Sequence, residues 1–211
     1  MPAGGIADAL RAAVGSHSPI LIFLAGPNGA GKSTFHRSYL EGLGIPFVNA
    51  DNIRRKLPTG SPEEAAEADV AAFYKAEEFR RTLLDARASF CTETVFSDPG
   101  GAKLEFLRQA READYTVFLI SIGLESAALS VARVVQRVEE GGHDVPDEKI
   151  EQRFPRTLRN LPAAIPLVNE AYLFDNSSSD EPFRPVAVYR DGALVYRKAP
   201  TPSWAQGLPA L

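Results

Sequence analysis

Residues 26–34 have the sequence GPNGAGKST, which matches the phosphate-binding pattern G-x-x-x-x-G-K-[ST]. The apolar run at residues 19–25 comes directly before it, so a buried strand leads into a glycine-rich turn and then a helix. In such a turn, backbone N–H groups and the positive end of the helix converge on one point, where they bind an anionic phosphate. The segment therefore predicts a nucleoside triphosphate site formed by Gly26, Pro27, Asn28, Gly29, Ala30, Gly31, Lys32, Ser33 and Thr34.

Two side chains of this segment carry specific chemistry. The pattern places Lys32 on the β- and γ-phosphates and the Ser33 hydroxyl on Mg²⁺, so the expected cofactors are ATP and Mg²⁺. We expect Lys32 to face solvent before ATP arrives, so that its replacement leaves no buried hole.

The segments around this site alternate between strand-like and helix-like patterns. Repeated β-α units predict an α/β P-loop NTPase fold, with a mostly parallel five-stranded sheet flanked by helices. We expect one domain over residues 1–211, with its core at 19–177 and a terminal β-hairpin at 184–198 around Asp191 and Gly192. The strands are predicted at 20–25, 45–51, 89–96, 115–122 and 172–176, and the helices at 6–14, 32–43, 61–88, 101–113, 125–140 and from 146 onward.

Carboxylates stand at or near the ends of two predicted strands, where ligands bind in parallel sheets. Asp51 follows the second strand, and Glu93 and Thr94 lie late in the third. A carboxylate at this edge can accept the proton of an attacking hydroxyl or help to hold Mg²⁺. Asp51 is equally of the type that caps a following helix, here one starting at residue 52. Glu93 lies among apolar residues, where burial is costly unless the carboxylate is paired.

Basic side chains recur at helical spacing between residues 133 and 160. Arg133 and Arg137 are four residues apart, and a second stripe holds Lys149, Arg153, Arg156 and Asn160. The glycine-containing joint at 141–146 separates the two stripes, and we expect His143 within it to be a hinge or lid contact. The pattern is typical of a helical lid that closes arginines over phosphates. The alternative is a solvated charged face, because glutamates are interspersed.

The motifs together resemble those of the zeta-toxin family, and more narrowly its shorter bacterial branch, the zeta-toxin-domain proteins also described as predicted ABC-type ATPases. The resemblance runs in order from residue 19 to 177. It implies a P-loop kinase fold, with ATP and Mg²⁺ as the phosphoryl donor system. It also implies a hydroxyl of UDP-N-acetylglucosamine as the acceptor and an antitoxin protein as a neutralising partner. The matching blocks are GPNGAGKSTF (26–35), FVNADNI (47–53), FCTETVFS (90–97), RVVQRV (133–138), GGHDVP (141–146), Arg153, RTLRNL (156–161) and FDNS (174–177).

The resemblance also assigns roles to individual residues. Lys32 and Ser33 match the phosphate and Mg²⁺ residues, and Asp51 matches the catalytic base. Glu93, followed by Thr94, matches the carboxylate that binds the acceptor. Three arginines are candidates for the two lid arginines of the family: Arg133, Arg137 and Arg153.

Composition narrows the function classes. The chain has 211 residues with 45% hydrophobic residues and a net charge of −4, which argues mildly against nucleic acid as a partner. The single cysteine, Cys91, and the absence of a long apolar run favour a cytoplasmic protein without a membrane span.

Two classes of function stay open: a small-molecule kinase, and a nucleotide-dependent switch or motor ATPase. The LSGGQ-type signature of transporter ATPases does not occur. Kinases for antibiotics or nucleic-acid ends share the same loop.

Overall fold

The structure is a computed structural model that describes residues 3–58, 60–142 and 144–209. His143, which we expected at the lid joint, lies outside the described residues. Within those ranges, no helix combines the length and the apolar character that crossing a membrane requires.

Seven strands form one sheet in the order β2-β3-β1-β4-β5-β6-β7. The first five of these are parallel, and the last two are antiparallel. This architecture confirms the predicted α/β P-loop fold with a C-terminal hairpin. The hairpin pairs with β5 and so extends the five-stranded sheet to seven strands. The strands are β1 (Ile20–Ala25), β2 (Phe47–Val48), β3 (Phe90–Thr94), β4 (Thr116–Gly123), β5 (Glu170–Asp175), β6 (Arg184–Arg190) and β7 (Ala193–Arg197).

Helices connect the parallel strands. Ser61 starts the longest one with a capping box, in which its side chain accepts from the backbone of Glu64 and the Glu64 side chain accepts in return. The helix after the phosphate loop is short and continues as a π-helical turn (His36–Leu40) and a 3₁₀ turn (Glu41–Leu43). The helices are α1 (Ala3–Val14), α2 (Lys32–Phe35), α3 (Ala50–Arg54), α4 (Pro62–Asp85), α5 (Ala102–Glu112), α6 (Ala127–Glu139) and α7 (Asp147–Ala164).

The core lies on both faces of the sheet. All six residues of β1 are buried, as expected for a central strand of a parallel sheet covered by helices on both sides. Leu21 and Phe23 belong to the apolar cluster on one face, and Ile20 and Ile22 to the cluster on the other. This central position of β1 fixes the loop that follows it at the middle of the carboxyl edge.

The second strand is shorter than predicted. It ends at Val48, and Asn49 then caps α3, because its side chain accepts hydrogen bonds from the backbone N–H groups of Asp51 and Asn52. The prediction of a strand over residues 45–51 is therefore wrong at its end. Asp51 lies in the first turn of a helix, and the capping role considered for it belongs to Asn49.

Candidate active site

The phosphate loop joins β1 to α2, and its backbone leaves no room for side chains at two glycines. Gly26 has φ +149°, and a Cβ there would lie 2.3 Å from the Ile122 carbonyl oxygen in β4. Gly31 has φ +87°, and its Cβ would lie 2.7 Å from Nδ2 of Asn176. Both positions require glycine, because the backbone takes a conformation that L side chains rarely adopt and the space is already filled.

Lys32 lies inside the loop. Its ammonium donates to the carbonyl oxygens of Gly26 at 3.0 Å and Pro27 at 2.9 Å, and the residue is only 7% exposed. Our expectation that Lys32 faces solvent is therefore wrong. Burial lowers the pKa of Lys32, and the nearby carboxylates of Glu93 and Asp51 oppose this change. The carbonyl oxygens of Gly26 and Pro27 thus hold the Lys32 ammonium inside the loop.

Glu93 is a largely buried carboxylate of the site, with its side chain 10% exposed, and it has the partners that its apolar surroundings demand. Its Oε2 accepts from the Ser33 hydroxyl at 2.9 Å and from Asn49 Nδ2 at 2.7 Å. Its Oε1 lies 3.9 Å from the Lys32 ammonium. Burial raises the pKa of Glu93 above its ordinary value, while the Lys32 charge and the Ser33 hydrogen bond act in the opposite direction. The Glu93 carboxylate thus lies against both Lys32, the predicted phosphate-binding residue, and Ser33, the predicted Mg²⁺ ligand.

Sequence reasoning missed two residues that support Glu93. Asn49 was visible only as an asparagine after a strand, which is a common helix cap. Arg80 lies in the charged stretch of α4, where nothing marks it out. Its guanidinium is buried, and it donates to Thr92 Oγ1 at 2.6 Å and to the Glu93 carbonyl oxygen at 3.4 Å. Arg80 therefore stabilises the end of β3 next to Glu93.

A single cleft of about 470 Å³ adjoins these residues. Asp51 is exposed at its edge, and Thr94 lines it while its hydroxyl accepts from the Phe96 N–H at 3.1 Å. The cleft continues along residues 95–99, so one space extends from the phosphate loop past both carboxylates. Its basic lining is contributed by Lys32, Arg54, Arg80, Lys103, Arg137, Lys149, Arg153 and Arg156.

The candidate lid arginines separate in the structure. Arg137 and Arg153 both line the cleft, together with Lys32. Arg133 is absent from the described lining of the cleft and instead donates to the Ser177 carbonyl oxygen at 3.3 Å. Burial lowers the pKa of Arg133, and Asp175 partly offsets this effect. The shared helix face predicted from the spacing of four therefore does not bring both arginines to the cleft.

The donor set fits Mg²⁺. Hard oxygen ligands close to Lys32 are offered by the Ser33 hydroxyl, the largely buried Glu93 carboxylate and the exposed Asp51 carboxylate. The described part of the chain holds no group of three or more His, Cys, Asp or Glu residues arranged to hold a metal. Mg²⁺ in kinases is typically bound by one or two protein ligands together with water and substrate phosphates.

A glycine-rich loop between a central parallel strand and a helix, with a buried lysine, a hydroxyl and a carboxylate beside it, defines a P-loop kinase-type site. Comparison with known proteins agrees. The model of the AAA domain family matches residues 21–156, and the chain belongs to this family of P-loop kinase-type, ATP-using enzymes. The shikimate kinase of Chlorobium chlorochromatii (strain CaD3) is 33% identical over 150 residues, which cover 66% of this chain and 74% of that protein.

Solved structures share the fold at lower identity. The AvrRxo1-ORF1:-ORF2 complex with ATP superposes with a TM-score of 0.69 at 20% identity, covering 91% of this chain and 67% of that chain. A structure from the PezAT chromosomal toxin–antitoxin system of Streptococcus pneumoniae has a TM-score of 0.57 at 20% identity, covering 91% and 78%. Both likenesses extend well beyond the phosphate loop.

Proposed function

We propose that this chain transfers the γ-phosphate of ATP to a hydroxyl group of a small molecule. The observation that carries the proposal is that the phosphate loop, both carboxylates (Asp51 and Glu93) and two candidate lid arginines (Arg137 and Arg153) line one cleft. A nucleotide switch needs only the donor half of such a cleft. Here the cleft extends past the carboxylates along residues 95–99, where an acceptor can lie in line with the terminal phosphate.

The donor half would be formed by the loop. Backbone N–H groups of residues 26–34 and Lys32 bind the phosphates, and Ser33 with Glu93 would hold Mg²⁺. When bound, Mg²⁺ supplies charge neutralisation at the β- and γ-phosphate oxygens. The Lys32 ammonium exchanges its bonds to the carbonyls of Gly26 and Pro27 for bonds to phosphate oxygens, which are stronger acceptors because they are charged.

The transfer step would use Asp51 as the base. The attacking hydroxyl oxygen forms a bond to the γ-phosphorus, the bond to the bridging β–γ oxygen breaks, and ADP leaves. The hydroxyl proton passes to the Asp51 carboxylate. Arg137 and Arg153 neutralise charge on the transferring group, since both line the cleft.

Glu93 has two proposed roles. The resemblance to zeta toxins assigns Glu93, with Thr94, to acceptor binding. The hydrogen bond from Ser33 to Oε2 supports a second role, in which Glu93 orients the hydroxyl that would bind Mg²⁺. The two roles would use different oxygens: Oε2 accepts from Ser33, whereas Oε1, 3.9 Å from the Lys32 ammonium and so beyond hydrogen-bond distance of it, would accept from the acceptor.

We further propose that the acceptor is a sugar nucleotide such as UDP-N-acetylglucosamine and that an antitoxin protein is a partner in the cytoplasm. The ordered zeta-toxin motifs support this identity, and the fold likeness to the PezAT structure agrees with it. Two alternatives remain: a kinase for another acceptor, such as an antibiotic or a nucleic-acid end, and an ATPase switch without an acceptor.

An acceptor screen tests the proposal. Purified protein is incubated with Mg²⁺, ATP labelled at the γ-phosphate and candidate acceptors that include UDP-N-acetylglucosamine, and products are identified by mass spectrometry. We expect a phosphorylated sugar nucleotide with the wild type and none with Lys32→Ala. Label transferred only to another acceptor would reject the sugar nucleotide, whereas release of phosphate alone with every candidate would favour the ATPase switch.

A further inference from the structure

The segment between β3 and α5, residues 95–99, forms one wall of the cleft on the side away from the phosphate loop. We call it the acceptor loop. Its shape is unusual, because Phe96 has φ +62°, a conformation that costs a non-glycine residue of order 1–3 kcal/mol. The Phe96 ring is buried and packs edge-on against Phe23 of β1, with centroids 5.4 Å apart. Packing thus anchors the middle of the loop to the sheet.

The rest of the acceptor loop is held by α7. Asn160 Nδ2 donates to the carbonyl oxygens of Phe96 at 3.0 Å and Asp98 at 3.1 Å. The Thr157 hydroxyl lies 2.8 Å from the Val95 carbonyl oxygen. One helix turn therefore provides hydrogen bonds to three loop carbonyls. The sequence had placed Asn160 in the basic stripe, but the structure directs its side chain to the acceptor loop.

The same helix carries the cationic face of the cleft. Lys149, Arg153 and Arg156 of α7 line the cleft, while Thr157 faces the loop behind them. The Thr157 hydroxyl also lies 3.1 Å from the carbonyl oxygen of Arg153, one turn earlier. The turn that presents Arg153 and the turn that holds the loop are thus neighbouring parts of one helix, and the Thr157 contact joins them across Pro155.

The other lid helix is attached to the donor side. In α6, the Ser130 hydroxyl donates to the Asn28 carbonyl oxygen at 2.5 Å, and a Cβ at Gly29 would lie 2.8 Å from the Ser130 carbonyl oxygen. Helix α6 therefore packs on the phosphate loop, and α7 packs on the acceptor loop. The joint between them adjoins the cleft, because residues 144–146 line it.

We propose that Asn160 and Thr157 are positioning residues that link the nucleotide to the acceptor loop. When the phosphates draw Arg153 into place, α7 moves as a unit, and its three hydrogen bonds set the acceptor loop in the geometry that receives the acceptor. The proposal rests on the proposed function, because it needs ATP in the cleft. Binding of ATP and of acceptor are then coupled through α7, and each strengthens the other.

Hydrogen–deuterium exchange with a non-hydrolysable ATP analogue and Mg²⁺ tests the link without knowledge of the acceptor. In the wild type, the analogue is expected to slow exchange at residues 95–101 by about 5- to 150-fold, the factor by which coupling between two sites usually shifts an equilibrium. Asn160→Ala should keep its affinity for the analogue and lose most of this protection. Arg159→Ala is the matched control, because Arg159 is exposed on the neighbouring position of α7 and should behave as wild type.

A second pair of variants guards against a folding defect in Asn160→Ala. Thr157→Val removes the hydroxyl at nearly constant volume, and Thr157→Ser retains it. Protection by the analogue should fall in the first and persist in the second, while exchange of residues 95–101 without the analogue stays as in the wild type. Faster exchange in Thr157→Val without the analogue, together with unchanged protection by it, would show that the hydroxyl has only a structural role. Once the acceptor is identified, the analogue should strengthen acceptor binding in the wild type and not in Asn160→Ala, and the acceptor should likewise strengthen analogue binding only in the wild type.

The outcomes separate the two proposals. If the wild type does not bind the analogue, the proposed function fails and this inference fails with it. If the analogue binds and residues 95–101 are protected equally in wild type, Asn160→Ala and Thr157→Val, the link through α7 is wrong while the kinase assignment stands.

Discussion

Lys32 is buried in the phosphate loop, and this changes what its replacement should do. Lys32→Ala is expected to abolish binding of the terminal phosphates, since no other described cation lies within the loop. It should also lower the free energy of unfolding by about 1–3 kcal/mol, because the Gly26 and Pro27 carbonyls lose a charged donor. Calorimetry with ATP and chemical denaturation measure the two effects. Exposed Lys56 provides the control in Lys56→Ala, and unchanged ATP affinity in Lys32→Ala would refute the phosphate-loop assignment.

Asp51 and Glu93 are both carboxylates, yet their surroundings predict different kinetic effects. Asp51→Asn removes a base at the exposed edge of the cleft, so kcat should fall by roughly 10²–10⁴ with little change in ATP affinity. Glu93→Gln should chiefly raise the KM of the acceptor, as the family resemblance implies, and should raise the Mg²⁺ concentration needed because Ser33 loses a charged partner.

Steady-state kinetics at varied Mg²⁺ and acceptor concentration decide between these roles. A large loss of kcat in Glu93→Gln with none in Asp51→Asn would reverse them. Normal kinetics in both variants would contradict the kinase mechanism.

The raised pKa of Glu93 gives a pH dependence with a definite sign. In the window between the ordinary pKa of a glutamate and the raised pKa of Glu93, the folded state binds a proton that the unfolded state has released. This group therefore destabilises the fold as pH rises through the window. The destabilisation is relieved on acidification, while Mg·ATP binding, which needs the charged carboxylate, weakens over the same window.

Denaturation of wild type and Glu93→Gln over a pH series measures the stability contribution. As pH falls through this window, we expect the free energy of unfolding of the wild type to increase relative to that of Glu93→Gln. A difference that stays constant with pH would show that Glu93 has the same pKa in both states.

At the scale of elements, α6 and α7 each place one candidate arginine at the cleft, Arg137 and Arg153, while the third, Arg133 of α6, is absent from the described lining. Arg137→Ala and Arg153→Ala should each lower the transfer rate by a factor on the order of 10³, as loss of a charge-neutralising arginine does in other phosphoryl transferases. Arg133→Ala should act mainly on stability, because its guanidinium donates to the Ser177 carbonyl beyond the cleft lining. Single-turnover rates and melting temperatures of all three, with Arg159→Ala for comparison, test this division. Full activity in both Arg137→Ala and Arg153→Ala would instead support the alternative that the two basic stripes are a solvated charged face.

At the scale of the whole molecule, the C-terminal segment that contains Trp204 packs against the sheet. Trp204 is buried against the end of β4, and its indole N–H donates to Asp175 Oδ1 at 2.9 Å. A Cβ at Gly123 would lie 2.3 Å from the indole ring. Gly123→Ala is therefore expected to lower the free energy of unfolding by about 1–3 kcal/mol, the usual cost of overpacking. Trp204 is the only tryptophan, so its fluorescence reports the transition directly. Gly207→Ala, where a Cβ meets nothing within 4 Å, is the control.

The sequence by itself determined the features that depend on neighbouring residues. The apolar run before residue 26 and the loop pattern predicted β1, the phosphate loop and the helix after it, because periodicity and glycine placement act over a few residues. Alternation of the remaining segments predicted the parallel sheet, and Asp191 with Gly192 predicted the hairpin turn. The limits of the short strand β2 were missed, because the capping action of Asn49 competes with strand extension.

Only the tertiary structure decided which distant residues meet. Glu93 obtains its hydrogen bonds from Ser33 and Asn49, which are 60 and 44 residues away in the chain. Strand order brings them together, since β3 lies between β2 and β1 at the carboxyl edge of the sheet. The same long-range packing buried Lys32 and directed Arg133 and Asn160 away from the positions that their spacing had indicated. Local sequence carries no information about such contacts, because they arise where separately formed elements are packed against one another.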